Sequence, residues 1–142
     1  MASVPNPPPR QIQLAVSASI FRDGKVLIVR RAKPLAKGLY SLPGGRVDFG
    51  ETLHQALHRE IYEETSLKVE IIGLAGWREI LPGPANNGHY LVLSFSTRWI
   101  GGEPRLNDEL DDFRWIAPIE IGAFSTTEGL EEIIRAAENL LP

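Results

Sequence analysis

Apolar and polar positions alternate from Ile12 to Ile20, where Ile12, Leu14, Val16, Ala18 and Ile20 are separated by mostly polar residues. A side-chain period of two is that of a half-buried strand. Asp23-Gly24 reads as a hairpin turn, and "KVLIVRR" as the return strand, apolar on both faces from Val26 to Val29. A basic loop, "RRAKPLAKG", is followed by "LYSLPGGRVDFGE", a short strand running into a glycine-rich loop. The period changes at Thr52. "Thr52-Leu53-His54-Gln55" matches a capping box, in which hydroxyl and amide side chains satisfy free backbone N–H groups at a helix start. Helical spacing then continues to about Thr65. Residues 69–81 and 89–100 read as longer strands separated by "PGPANNG", 113–117 as a short strand, and 128–141 as a C-terminal helix. Strands and helices are mixed, hairpins occur and no repeat is present. This predicts an α/β (α+β) fold over residues 11–142, a mixed β-sheet sandwiched between α-helices. Residues 1–10, "MASVPNPPPR", are expected to form a flexible, proline-rich lead-in.

Composition narrows the function classes. The 142 residues fit one domain with a sizeable core. A net charge of −3 supplies no basic field for nucleic acid or an anionic membrane. The absence of cysteine excludes disulfides, a thiolate zinc site and a cysteine nucleophile. No apolar run approaches the ~20 residues of a membrane span, and the first residues lack the apolar segment of a secretory signal. The expectation is a cytoplasmic protein with no nucleic-acid or membrane partner.

The stretch "REIYEET", residues 59–65, crowds three carboxylates into five residues. Advancing about 100° per residue puts Glu63 about 60° to one side of Glu60 and Glu64 about 40° to the other. Leu53, Ala56, Leu57 and Ile61 fall on the same side of the wheel, so the acids continue the apolar stripe instead of opposing it. Like charges at i,i+4, as Glu60 and Glu64 are, repel even when solvated, and partial burial raises the cost. Two readings stand: a solvated acidic face, or a site for a hard cation such as Mg2+ or Mn2+, which prefers carboxylate oxygens.

The residues from Gly45 to Leu67 also resemble the signature of Nudix hydrolases: Gly, five residues, Glu, seven residues, Arg-Glu, an aliphatic, any residue, Glu-Glu, any residue, Gly, an aliphatic. Gly45, Glu51, Arg59, Glu60, Ile61, Glu63, Glu64 and Leu67 match, and Ser66 stands where the family has Gly. "LPGG" before the stretch and "GGEP" after it are similar to family sequence as well. The resemblance implies a loop–helix–loop with Glu60, Glu63 and Glu64 as metal ligands, joined by the Gly45 carbonyl. It implies Glu51 and Arg59 as scaffold residues that orient those ligands, and a catalytic set of Glu64, Glu60 and Arg59. Ser66 falls past the helix end and carries no ligand; it is expected to adopt the left-handed cap conformation at ~1 kcal/mol of strain.

The implied chemistry is metal-dependent hydrolysis of a diphosphate linkage in a nucleoside diphosphate joined to a second group. The substrate favoured by the resemblance is ADP-ribose, split to AMP and ribose 5-phosphate. A nucleoside triphosphate pyrophosphohydrolase and a non-catalytic nucleotide sensor are the alternatives. The cofactor is Mg2+ or Mn2+, the partner is a small nucleotide, and the oligomeric state is left open, a homodimer included. Glu64 is the candidate to accept the proton of water, with Glu109, in the acidic loop "NDELDD", as its rival. Arg30, Arg31, Lys33 and Lys37 are candidates for substrate phosphates, and Trp77 and Tyr90 for stacking on a base. His54 and His58 have the i,i+4 spacing of a metal pair, yet "HQALH" lacks the Glu of the zinc motif and faces away from the acids.

Overall fold

The computed structural model describes residues 11–34, 36–84 and 87–142; the lead-in expected over residues 1–10 lies outside them. Its strands are β1 (Ile12–Arg22), β2 (Lys25–Arg31), β3 (Tyr40–Ser41), β4 (Gly44–Arg46), β5 (Lys68–Ile80), β6 (His89–Gly101) and β7 (Leu110–Ile116). Its α-helices are α1 (Leu53–Thr65) and α2 (Leu130–Glu138). All seven strands join one sheet, with β1 parallel to β6 and the other pairs antiparallel. The expected mixed sheet between helices is the fold. Helix α1 covers one face through Ala56, Leu57 and Ile61, packed with Val16, Ile20 and Phe95. Helix α2 covers the other through Leu130, Ile134 and Ala137, packed with Phe21, Val26 and Ile28.

The hairpin between β1 and β2 determines where β4 can lie. Asp23 and Gly24 both have positive φ, 51° and 77°, as the tightest hairpin turns require. The two strands pair only at Phe21–Val26 and Arg22–Lys25. Beyond that point they part, and β4 takes the edge of β1, with Gly45 opposite Val16 and Gly44 opposite Ser17. Contact there is so close that a Cβ on Gly44 would lie 2.0 Å from the Val16 carbonyl oxygen. Splitting the strands in this way seats a glycine pair of the chain beneath α1.

Helix α1 begins as its sequence predicts. The Thr52 hydroxyl accepts from the Gln55 N–H at 3.1 Å, and the Gln55 amide oxygen accepts from the Thr52 N–H at 2.9 Å. It ends at Ser66, in the left-handed region at φ 62°. The Ser66 N–H caps the Tyr62 carbonyl.

Three elements differ from the sequence reading. Strand β7 starts inside the acidic segment expected to be a loop, because β2 offers an open edge and Leu110 is buried on it opposite Arg31. The C-terminal helix is shorter at both ends: Gly129, at φ 79°, sets its start and Asn139 its end. A 3-10 turn, Pro118–Ala123, precedes it, with the Glu120 carboxylate accepting from the Ala117 N–H. The strained cap gives a direct test. Ser66→Gly should raise stability by ~1 kcal/mol, whereas Ser66→Ala, which keeps a Cβ at positive φ, should not. Urea denaturation midpoints of the two variants measure the difference.

Candidate functional site

The acidic face of α1 opens on a cleft of about 650 Å3 lined by Glu60, Glu63 and Glu64, by Gly44, Gly45, Arg46 and Asp48, and by residues of β1, β5 and β6. The carboxylates are not a uniformly solvated face. Glu64 is only 6% exposed, the Glu60 side chain 16% and that of Glu63 53%. Glu64 Oε1 accepts from the Gly44 N–H at 2.8 Å. Gly45 is small by necessity: a Cβ there would sit 2.4 Å from the Glu60 carboxyl carbon. The "LPGG" turn therefore lets backbone press directly against two charged side chains.

Arg59 holds the constellation. Its Nε and Nη2 grip both oxygens of Glu51 at 2.7 and 2.9 Å, and Nη2 also donates to the Arg46 carbonyl at 3.0 Å. Nη1 reaches Glu60 Oε1 at 2.9 Å and Glu63 Oε2 at 3.3 Å. Bidentate guanidinium–carboxylate geometry fixes orientation as well as charge. Accordingly Arg59 is pushed well above its ordinary range, mainly by Glu51. Glu51 is drawn down to about 2 by the Arg59 hydrogen bond, aided by the Asp48 N–H.

Glu60 and Glu64 move the opposite way. Burial pushes Glu64 up to about 7, against the Gly44 N–H and with the Glu60 charge adding to the rise. Burial raises Glu60 as well, while Arg59 pulls it down. Each of the three helix carboxylates has one oxygen held by a protein donor. The other, Glu60 Oε2, Glu63 Oε1 or Glu64 Oε2, has no donor among the described residues. Among those residues no three acids or histidines are already gathered closely enough to cage an ion. The donor set nonetheless fits an oxygen-liganded divalent cation, since it consists of carboxylates with unused oxygens and uncompensated, partly buried charge.

The remaining sequence candidates divide. Arg31, Tyr90 and Glu109 line the cleft. The Glu109 backbone N–H is fixed by the Asn107 side chain at 3.0 Å, while Asn107 donates its own N–H to the Glu64 carbonyl. Arg30 is not among the lining residues; as Arg31's neighbour on a strand it points to the other face, where it pairs with Asp111 at 2.6 Å. Lys33 pairs with Asp108 at 3.0 Å, and Lys37 is exposed. Trp77 is 61% exposed and lies beside Ile12, His89, Leu91 and Leu93, opposite the face that carries Tyr90. The two aromatics therefore do not wall one pocket. His54 packs edge-on against Phe95, and both helix histidines are exposed. Sequence reasoning missed Asp48, 3.5 Å from Arg59, and the cleft residues Ser17, Arg78, Ser94 and Glu128. Arg78 follows Trp77 on a strand, and only the alternation of faces signals it.

A family model described as NUDIX domain matches residues 11–137. The chain belongs to the Nudix family. It is 38% identical over 96 residues to the ADP-ribose pyrophosphatase of Methanocaldococcus jannaschii, an alignment covering 68% of this chain and 56% of that protein. It thus spans little more than half that relative's length. It is 36% identical over 116 residues to a Mycobacterium tuberculosis protein named "Putative 8-oxo-dGTP diphosphatase 2", covering 73% of this chain and 80% of the other. Among solved structures, the MutT NUDIX hydrolase from Burkholderia pseudomallei superposes with a TM-score of 0.80 at 27% identity, over 89% of this chain and 98% of that one.

The shifted carboxyl of Glu64 has a consequence for stability. Its folded pKa, about 7, lies above the ordinary value of 4.5. The folded state then holds the proton more tightly, so its contribution is complete below pH ~4.5 and is lost as pH rises towards ~7. In metal-free buffer, Glu64→Gln should flatten this fall, which amounts to something on the order of 3 kcal/mol. Glu51 runs the other way: its contribution is present above pH ~4.5 and lost as pH falls towards ~2. Denaturant melts of wild type, Glu64→Gln and Glu51→Gln across pH 3–8 check both signs.

Proposed function

We propose that this chain hydrolyses the diphosphate linkage of a nucleotide, with Mg2+ or Mn2+ held by Glu60, Glu63 and Glu64 and by the Gly45 carbonyl. The observation that carries the reading is the half-used carboxylate set. Three acids on one helix face each keep one oxygen fixed and one without a donor among the described residues, and two of them are withdrawn from water. When bound, such a cation neutralises charge developing on phosphate oxygens and makes water more acidic. The chain's own residues supply the rest. Glu51 and Arg59 fix the carboxylates, so that placement of the reacting groups is set before substrate arrives. Arg31, on the cleft wall, meets the phosphates. Glu64, the most deeply buried of the three carboxylates, is the first reading for the group that accepts the proton from water.

Glu109 is the second reading for the proton acceptor, because it too lines the cleft. One variant separates them. Glu109→Gln should leave kcat nearly unchanged and cation binding intact. A fall of ~10²-fold or more in kcat, with cation binding retained, would transfer the role to Glu109. Arg59→Ala should lower kcat more than it raises KM, as disturbed ligand placement does; a pure KM effect would make Arg59 a substrate contact.

Two substrates are supported, each by a relative. The name of the Methanocaldococcus jannaschii protein favours ADP-ribose, yielding AMP and ribose 5-phosphate. The name of the Mycobacterium tuberculosis protein favours a nucleoside triphosphate, yielding a monophosphate and pyrophosphate. The unbroken set of Glu60, Glu63 and Glu64 weighs against a sensor that only binds. Product analysis with and without Mg2+ tests the reading: cleavage of either substrate should require the cation, and no cleavage of any nucleoside diphosphate derivative or triphosphate would contradict it. The folded chain should also melt at higher temperature in millimolar Mg2+ or Mn2+, and Glu64→Gln should reduce that shift.

A further inference from the structure

Arg78 is the cleft residue that the carboxylate chemistry leaves unused. It lies on β5 with Val92 of β6 as its cross-strand partner, and Ile80 and Tyr90 form the next same-face pair along the two strands. All four line the cleft. Facing them is the segment from Thr127 to Ile133, and Arg78 Nη1 donates to the backbone carbonyl of Glu128. Other arginines are paired to carboxylates: Arg22 to Glu103, Arg30 to Asp111, Arg98 to Glu70, Arg114 to Asp112 and Arg135 to Glu131. Among the described residues no carboxylate forms an ion pair with Arg78. Burial pulls its pKa below the ordinary arginine value, and the charge of Glu128 pulls it back up; a guanidinium remains cationic throughout. A half-buried cation with unused donors is unfavourable by itself. It becomes favourable when a ligand supplies acceptors.

The surroundings say what kind of ligand. Ile80, Val92 and Tyr90 share the strand face and the cleft with Arg78, and their apolar and aromatic surface suits a flat ring better than a phosphate. Arginine is a planar fork that only donates. Guanine offers that fork two acceptors side by side, O6 and N7. Adenine offers N7 beside an amino group, a second donor that the fork repels. Glu128, an exposed residue of the same cleft whose charge acts on Arg78, has a carboxylate that only accepts when ionised, which complements the N1–H and N2 amino group of guanine.

We propose that Arg78, assisted by Glu128, is the specificity-determining residue of this cleft and selects a nucleotide with a 6-oxopurine base over its adenine counterpart. The inference rests on the reading of the cleft as a nucleotide site. It places a guanosine nucleotide ahead of ADP-ribose as substrate.

The test is calorimetric binding of GMP, IMP, 7-deaza-GMP and AMP to the intact chain in Mg2+. GMP and IMP should bind roughly tenfold or more tighter than AMP, and 7-deaza-GMP, which lacks the N7 acceptor, should lose much of the advantage. Arg78→Gln should bring GMP down to the affinity of AMP. Arg78→Lys, which keeps the charge without the fork, should also lose most of the preference. Equal binding of GMP and AMP by wild type, binding of neither, or an Arg78→Gln loss shared equally by all four ligands overturns the proposal. The last result would mean that Arg78 merely braces the loop at Glu128. Cation-dependent cleavage without base preference would sink this inference and leave the proposed hydrolysis standing. A GMP preference without cleavage would do the reverse.

Discussion

Withdrawal of two like charges from water, at Glu60 and Glu64, is the constraint around which the rest of this structure is arranged. Side chains one helical turn apart repel, and burial makes each harder to ionise. The fold tolerates them through three devices. The Gly44 N–H is aimed at Glu64. A glycine at position 45 lets backbone approach Glu60. Arg59, itself gripped by Glu51, shares its guanidinium with Glu60 and Glu63. None of these fully balances the charge, since Glu64 stays near 7 and Glu60 stays raised. The residual imbalance is what a divalent cation would relieve, and it ties strand splitting, glycine placement and helix capping to one chemical end.

The division of labour among the acids follows from where each sits. Glu51 precedes α1 and Glu64 lies in its last turn, and their carboxyls move in opposite directions. Glu51 meets a guanidinium at two oxygens and titrates low. Glu64 meets one N–H in a dry corner and titrates high. One acid is thereby fixed as an anion that holds Arg59, and the other, in the metal-free protein, keeps a carboxyl that titrates near neutral pH. Environments that push neighbouring carboxyls apart are a common mark of acid–base sites.

Much of this is legible in the chain. The capping box at Thr52, the helical period to Thr65 and the shared face of Glu60, Glu63 and Glu64 are local features, and each is present as read. The left-handed cap at Ser66 is legible because a helix end leaves few alternatives. Features that depend on register are not. The sequence offers both Arg30 and Arg31 to the substrate, although adjacent strand residues face opposite ways. Trp77 and Tyr90 look like a pair of base walls, but β5 carries bulges between Ile71 and Gly73 and between Leu74 and Gly76. Its alignment with β6 puts Trp77 opposite Leu93 and Ile80 opposite Tyr90. Counting along one strand does not reveal which partner lies across from it. Leu110 reads as loop because its neighbours are acidic, whereas the open edge of β2 decides its conformation.

The central claim is that Glu64 is held protonatable near neutrality by burial and that a divalent cation relieves this. Carbon-13 NMR titration of the Glu64 carboxyl, assigned through Glu64→Gln, measures it directly. In metal-free buffer the carboxyl should titrate near 7, and saturating Mg2+ should move it towards or below the ordinary 4.5. A metal-free value already at 4.5, or a raised value that Mg2+ leaves unmoved, would contradict the account.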